Sequence, residues 1–219
     1  MDDEREVRRY DRRHDPARVS ALSDGVFAIA ITLLVLEIHV PDLTGGTTLD
    51  AAMREVRPSF VAFLISFVVI AIAWVAHREL FALIRRTDLN LVWLNILYLL
   101  PVSILPFGAA LIARYGRESA ALSIYGFLLL LIAMSRVTVW LYATARPHLL
   151  FDPVSARTRT VGVLTVLVPA GFYGLAILIS EEAPVASLAI YAAAPALYFA
   201  GLILNRSTAP PEARDRPVT

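Results

Sequence analysis

Residues 18–37 read RVSALSDGVFAIAITLLVLE, from Arg18 to Glu37, and the fold turns on whether this stretch crosses a membrane. Between Asp24 and Glu37 only 12 residues are uncharged. A hydrocarbon core about 30 Å thick takes about 20 apolar residues of helix, so that window is too short to cross alone. Extended from Arg18 to His39 the segment reaches 22 residues with a strongly apolar middle, and it spans only by holding Asp24 and Glu37 at membrane depth. Ionisable groups there are expensive and face a bundle interior or a water-filled path. The Arg-rich lead and apolar run fit a secretory signal loosely, but Asp24 inside the run and the lack of a small-residue cleavage pattern before Pro41 favour a retained helix.

Downstream the length test is passed easily. Ser59 to Ala76 gives 18 uncharged residues, Leu89 to Ala113 gives 25, Thr160 to Ser180 gives 21 and Ala183 to Leu204 gives 22. Ser119 to Ser135 gives 17, and after Arg136 the stretch Val137 to Ala145 adds 9 more, a span carrying one charge at depth. Six helices are expected, joined by Pro41 to Pro58, Arg78 to Asp88, Arg114 to Glu118, Arg146 to Arg159 and the Glu181-Glu182 turn. The fold class is therefore all-α, a polytopic membrane protein with six transmembrane helices, and an even number of spans puts both termini on one side. The overall figures agree: 58% hydrophobic residues and a mean hydropathy of +0.64, against roughly 45–50% apolar residues in soluble domains.

Absent residue types exclude several chemistries. With no Cys there is no disulfide framework, thiolate metal site or Cys nucleophile. A net charge of +1 gives no basic field for nucleic acid, which is not expected as a partner. All 20 basic residues are Arg, and their placement is uneven. The arm through Arg18, the second-to-third and fourth-to-fifth connections and the tail hold 15, whereas the opposite connections hold four: Arg54, Arg57, Arg114 and Arg117. By the positive-inside rule both termini are expected in the cytoplasm, the chain lying multi-pass in the cell membrane. Residues 1–17 then form a solvated cytoplasmic arm, its acids offsetting its bases. Residues 18–206 form the six-helix domain, and the Pro-rich residues 207–219 a disordered tail.

With that orientation, polar side chains on four helices fall in one layer of the inner half. Ser23 and Asp24 lie about 8 to 9 Å along the first helix from Arg18 at 1.5 Å per residue. Trp74 and His77 end the second span, Trp93 and Asn95 begin the third, and Arg136 lies about 13 Å before Ala145. Arg18, Ser23, Asp24, Trp74, His77 and Asn95, with Arg136 in the same layer, are candidates for a shared hydrogen-bond network, since isolated polar groups in lipid lack partners. Each also has a plainer reading: Arg136 snorkelling to the interface, His77 and Trp74 anchoring at it. Asp24 cannot snorkel far; pairing with Arg or His would hold its charge in a structural clamp, and a proton relay is the other reading. His77 is the side chain suited to sensing pH.

The first helix carries a second pattern. Ile29, Leu33 and Leu36 recur at i, i+4 and i+7, one stripe of a helical face, with Thr32 beside it. Such a stripe serves packing or lines a pore. Gly25, Ala28 and Ala30 permit close helix approach. One six-helix bundle of this size leaves little room for an aqueous path; symmetric assembly around the first helix supplies it.

The run Arg18-Val19-Ser20-Ala21-Leu22-Ser23-Asp24, continued to Glu37, resembles the signature of the prokaryotic transmembrane-protein-175 potassium channels: Arg, three variable positions, then Phe-Ser-Asp. Leu22 stands where Phe is usual. Further likeness lies in Trp74 to Arg78 and in Asp88 through Asn95 to Pro106. The resemblance implies six transmembrane helices and a homotetramer whose pore is lined by the first helix, with no re-entrant carbonyl filter; no Thr-Val-Gly-Tyr-Gly run occurs. It places Ile29 at the narrowest ring, with Leu33 and Leu36 as further rings, and Thr32 at a position tied to cation preference, so that Ile29 and Thr32 set selectivity. Arg18, Ser23 and Asp24, with Trp74, His77 and Asn95, hold the helices in register. Glu37 stands at the outer vestibule, and potassium ions are the permeant species, with no cofactor and no other metal.

The leading functional reading is a potassium-permeable cation channel in a lipid bilayer. The alternative is a proton-coupled or proton-conducting transporter using Asp24, His77 and Glu37, although no internal repeat is visible. An enzyme is not expected, because His14, His39, His77 and His148 fall in separate segments without metal or nucleophile–base spacing.

Overall fold

The computed structural model describes residues 15–43, 46 and 48–207, with side chains described through Ala196. Residues 1–14 of the arm and 208–219 of the tail lie outside the described residues, and with them most of the expected cytoplasmic arm and disordered tail. Six helices account for nearly all of the rest: α1 Pro16–Val35, α2 Leu49–Ala82, α3 Leu89–Tyr115, α4 Ser119–Thr144, α5 Ala156–Leu178 and α6 Pro184–Ser207. Five of them are long and apolar enough to cross a membrane, and α6 is apolar over Pro184–Ala196.

Local chemistry sets the helix starts. The Asp15 carboxylate accepts from the Ala17 N–H at 2.9 Å, with Pro16 in the first turn where its missing N–H costs nothing. Asp88 accepts from Leu91 N–H at 2.7 Å and Ser155 from Thr158 N–H at 3.1 Å. The α2 boundary differs from the sequence reading, which took Pro41 to Pro58 as a connection. The helix begins at Leu49 and runs 34 residues with Pro58 inside it. At 1.5 Å per residue it is about 51 Å long, so its charged first third projects beyond the hydrocarbon. The Asp50, Arg54, Glu55 and Arg57 cluster had masked a helix that simply outruns the bilayer.

Cross-contacts fix the up-and-down course. The Arg85 N–H donates to Leu149 C=O at 2.8 Å and the Phe151 N–H to Leu83 C=O at 3.0 Å, tying the α2–α3 and α4–α5 connections at one end. Ser119 and Ser180 meet at 2.8 Å, tying the start of α4 to the end of α5 at the other. The N-terminal half of α1 packs beside the end of α2 and the start of α3, so the chain enters the bundle at the end where those two connections meet. With six alternating helices, α6 returns to that same face.

The core is held by buried tyrosines whose hydroxyls find partners, as an apolar solvent demands. Tyr125 bonds to Ser66 at 2.9 Å, Tyr191 donates to Leu122 C=O at 2.9 Å and Tyr98 donates to Ala73 C=O at 3.3 Å, linking α4 to α2, α6 to α4 and α3 to α2. Tyr191 reaches Leu122 because Gly126 leaves space: a Cβ there would strike the Tyr191 hydroxyl and lie 2.6 Å from Ile177 Cγ1. Helix α1 packs on α2 and α3 and on no other helix to comparable extent. Its buried residues form a single narrow stripe, Ser23, Phe27, Ala30 and Leu34.

Gly126→Ala therefore overpacks the α4–α5–α6 contact, with a cost of about 1–3 kcal/mol. The expected outcome is a lower unfolding midpoint in detergent, checked against Gly174→Ala, where nothing lies within 4 Å of the new methyl. Equal midpoints would contradict the packing described.

Candidate functional site

Three helices meet in a directed chain of hydrogen bonds. The Ser23 hydroxyl donates to the Val19 carbonyl of its own helix at 2.9 Å, leaving its oxygen to accept from Asn95 Nδ2 at 2.9 Å. With its amide nitrogen so engaged, Asn95 turns Oδ1 toward His77 Nε2 at 2.9 Å, and His77 is the donor. The chain His77 to Asn95 to Ser23 to Val19 thus runs α2, α3, α1, and Ser23, His77 and Asn95 are all buried. It fits a His77 tautomer protonated at Nε2, assigned from the partners. Nδ1 is buried and has no hydrogen-bond partner among the described residues, so a proton there would be unsatisfied.

An aromatic cage holds the imidazole. His77 stacks on Phe81 with centroids 4.3 Å apart and on Tyr98 at 5.9 Å, and Phe27 closes from α1 at 5.6 Å. These three were missed in the sequence, yet their signal is there. Phe81 is four residues after His77, Phe27 four after Ser23 and Tyr98 three after Asn95, each on the same helical face as the polar residue it supports. His77 is accordingly a core residue of the bundle and not an interface anchor.

One turn along, the Trp74 indole N–H donates to Asp24 Oδ1 at 2.8 Å. An Arg or His partner was expected for Asp24, and within the chain it has Trp74 instead. Arg18 is exposed and, among the described residues, forms no hydrogen bond or ion pair with the other five. Helix geometry gives the reason: residues six apart are not neighbours on a helix face, so Arg18 and Asp24 of one α1 cannot meet. The bundle thus brings together Ser23, Asp24, Trp74, His77 and Asn95, and leaves Arg18 outside. Arg136 lies on α4, bordering a small cleft with Thr165 and Tyr173.

Ile29, Leu33 and Leu36 stand on the other side of α1. They are 61%, 41% and 65% exposed in the chain, although the opposite stripe of the same helix is buried. At 100° per residue the two stripes are centred about 125° apart. Thr32 is also exposed, and its hydroxyl donates back to the Ala28 and Ile29 carbonyls, both at 3.0 Å. That commits its proton and leaves its oxygen outward as an acceptor. Gly25 borders open space, Ala28 is exposed, and of the three small residues only Ala30 is buried. Glu37 is half-buried just past the helix end, its N–H donating to Leu34 C=O at 3.3 Å. Among the described residues no three His, Cys, Asp or Glu side chains converge on a metal position.

The fold and site together define a multi-pass, all-helical membrane protein whose first helix is latched along one stripe and bare along another. The family described as endosomal/lysosomal potassium channel TMEM175 matches residues 18–106, which contain every member of the latch. A potassium channel of Streptomyces collinus is 40% identical over 144 residues, covering 64% of this chain and 69% of that one. The crystal structure of a lysosomal potassium-selective channel TMEM175 homolog from Chamaesiphon minutus superposes with a TM-score of 0.72 at 33% identity, covering 89% of this chain and 98% of that one. The human relative, described as an endosomal/lysosomal proton channel, is 26% identical over 136 residues, 61% of this chain and 27% of that protein. The chain belongs to the TMEM175 family.

The latch makes a testable demand. Asn95→Ala removes a donor and an acceptor together: it strands the His77 Nε2–H in the core, worth about 1–3 kcal/mol when left unpaired, and leaves Ser23 Oγ with only its bond to the Val19 carbonyl. A substantially lower unfolding midpoint in detergent is expected, larger than for Trp74→Phe at the more open Asp24 contact. The reverse order would place the main latch at Asp24.

Proposed function

We propose that the protein is a potassium-permeable cation channel in the cell membrane, formed by four copies of the chain around a pore lined by α1. The observation that carries this reading is the bare face of α1: an apolar stripe with one hydroxyl in its middle, on a helix rigidly latched from behind. Ile29 forms the narrowest ring, and Leu33 and Leu36 form rings beyond it. Four apolar side chains closing on an axis exclude water, so the pore gates by dewetting and conducts when the rings spread or rotate. Thr32 presents four outward oxygens to a partly dehydrated cation. Potassium gives up hydration water more readily than sodium, so the preference is for potassium and is modest, there being no carbonyl filter. Glu37 at the mouth raises the local cation concentration. The Arg asymmetry supports a cytoplasmic location for both termini.

Proton conduction through Asp24 and His77 is the second reading, favoured by the description of the human relative. Against it, the buried hydrogen-bond chain ends on a backbone carbonyl, and among the described residues His77 Nδ1 has no hydrogen-bond partner to pass a proton to.

Purified protein in liposomes separates the two. Passive dissipation of a potassium gradient, increased several-fold by Ile29→Asn, which wets the ring, is the expected outcome. Flux that needs a proton gradient, vanishes with Asp24→Asn and ignores Ile29→Asn would establish the transporter instead. A reporter fused after Thr219 should be protected from the outside in intact cells; external access would reverse the orientation.

A further inference from the structure

At the end of the bundle away from the termini, a cavity of about 530 Å³ opens between α2, the α3–α4 turn and the start of α6. Only four arginines belong to that face, and three of them, Arg57, Arg114 and Arg117, line this one cavity. They come from segments nearly sixty residues apart in sequence, so the fold has gathered them. A single carboxylate, Glu118, stands against the three guanidiniums. None of the three arginines forms an ion pair with a described residue. Arg114 rests over the Tyr115 ring with 5.6 Å to the centroid, which holds the guanidinium without using its in-plane N–H donors.

The remaining wall is apolar, with Val61, Ile112 and Leu188 facing the same space. A soluble anion has no use for such a wall. Arg57 lies two residues before the charge-free stretch of α2 begins at Ser59, and Arg114 immediately follows the charge-free stretch of α3 that ends at Ala113. Both guanidiniums therefore sit at the boundary between hydrocarbon and water, the depth of lipid phosphates. Val185, which also lines the cavity, is an exposed apolar side chain.

We propose that this cavity is a binding site for an anionic phospholipid, its phosphate held by Arg57, Arg114 and Arg117 and its acyl chain laid along Val61, Ile112 and Leu188. Bidentate N–H donors matched to phosphate oxygens supply the recognition. The site clips α2 to the α3–α4 turn and to α6, far from the latch on α1, and it is independent of which ion the protein conducts.

The test is native mass spectrometry of the full chain in detergent, titrated with phosphatidylglycerol or with phosphatidylcholine of the same acyl chains. Each Arg near an anionic lipid is worth on the order of fivefold in binding; with Glu118 offsetting one, a preference of about tenfold or more for phosphatidylglycerol is expected. R57Q/R114Q/R117Q should lose that preference. R57K/R114K/R117K, which keeps the charge but loses the bidentate fork, should retain part of it, and R78Q/R85Q/R86Q, on the opposite face, should leave it intact. Equal binding of the two lipids, or an unchanged preference in the triple Gln variant, overturns the proposal. So does full competition by inorganic phosphate at matched concentration, which assigns the cavity to a soluble anion. Absent lipid binding together with a changed oligomeric state in the Gln variant assigns it to a second copy of the chain.

Discussion

The hydrogen-bond chain from His77 through Asn95 and Ser23 to the Val19 carbonyl is the constraint on which the arrangement of the first three helices depends. In a bilayer, apolar side chains gain nothing by leaving lipid for one another, so hydrophobic burial alone does not choose which face of α1 turns inward. Directed polar contacts do. Every donor in the chain has one acceptor, and rotating α1 by one residue would carry Ser23 about 100° away from Asn95 and leave the Asn95 amide N–H unpaired in a medium without water. The aromatic cage of Phe27, Phe81 and Tyr98 keeps the imidazole in the plane that the chain requires.

Fixing one face of α1 determines what the other presents. Because Ser23, Phe27, Ala30 and Leu34 are turned into the bundle, Ile29, Thr32, Leu33 and Leu36 are turned out of it. The polar latch and the bare stripe are therefore two consequences of a single helix rotation. The latch gives the exposed stripe a rigid back. The segment with the fewest uncharged residues is thus the one whose charges and polar groups are spent on orientation, while the longer spans form the surrounding bundle.

Much of this was legible in the sequence, for identifiable reasons. Charge-free runs report membrane spans directly, because burying an ionisable group in lipid is costly; they located α3, α4, α5 and α6 within a few residues. Layer depth also survives, since rise per residue is nearly constant, and it singled out Ser23, Asp24, Trp74, His77 and Asn95 together. Direction within the layer was not legible. Arg18 lies in the same inner half but not on the face of the others, and Asp24 took an indole N–H in place of a cation, because partner choice depends on helix rotation and neighbours. The start of α2 was misread for a different reason: charges end a membrane span, but they do not end a helix that continues into water. The gathering of Arg57 with Arg114 and Arg117 depends on which helix ends are adjacent, and that is tertiary information.

The central claim is that the exposed stripe of α1 lines the conducting path, and the absence of native cysteine makes it directly accessible to single-cysteine probing. Currents from purified protein in planar bilayers would be recorded during exposure to a charged, water-soluble thiol reagent. Ile29→Cys, Leu33→Cys and Leu36→Cys should each be blocked progressively and irreversibly, and Ala30→Cys and Leu34→Cys, on the buried stripe, should be insensitive. Block at Ala30→Cys and Leu34→Cys with no effect at Ile29→Cys would show that the path runs elsewhere.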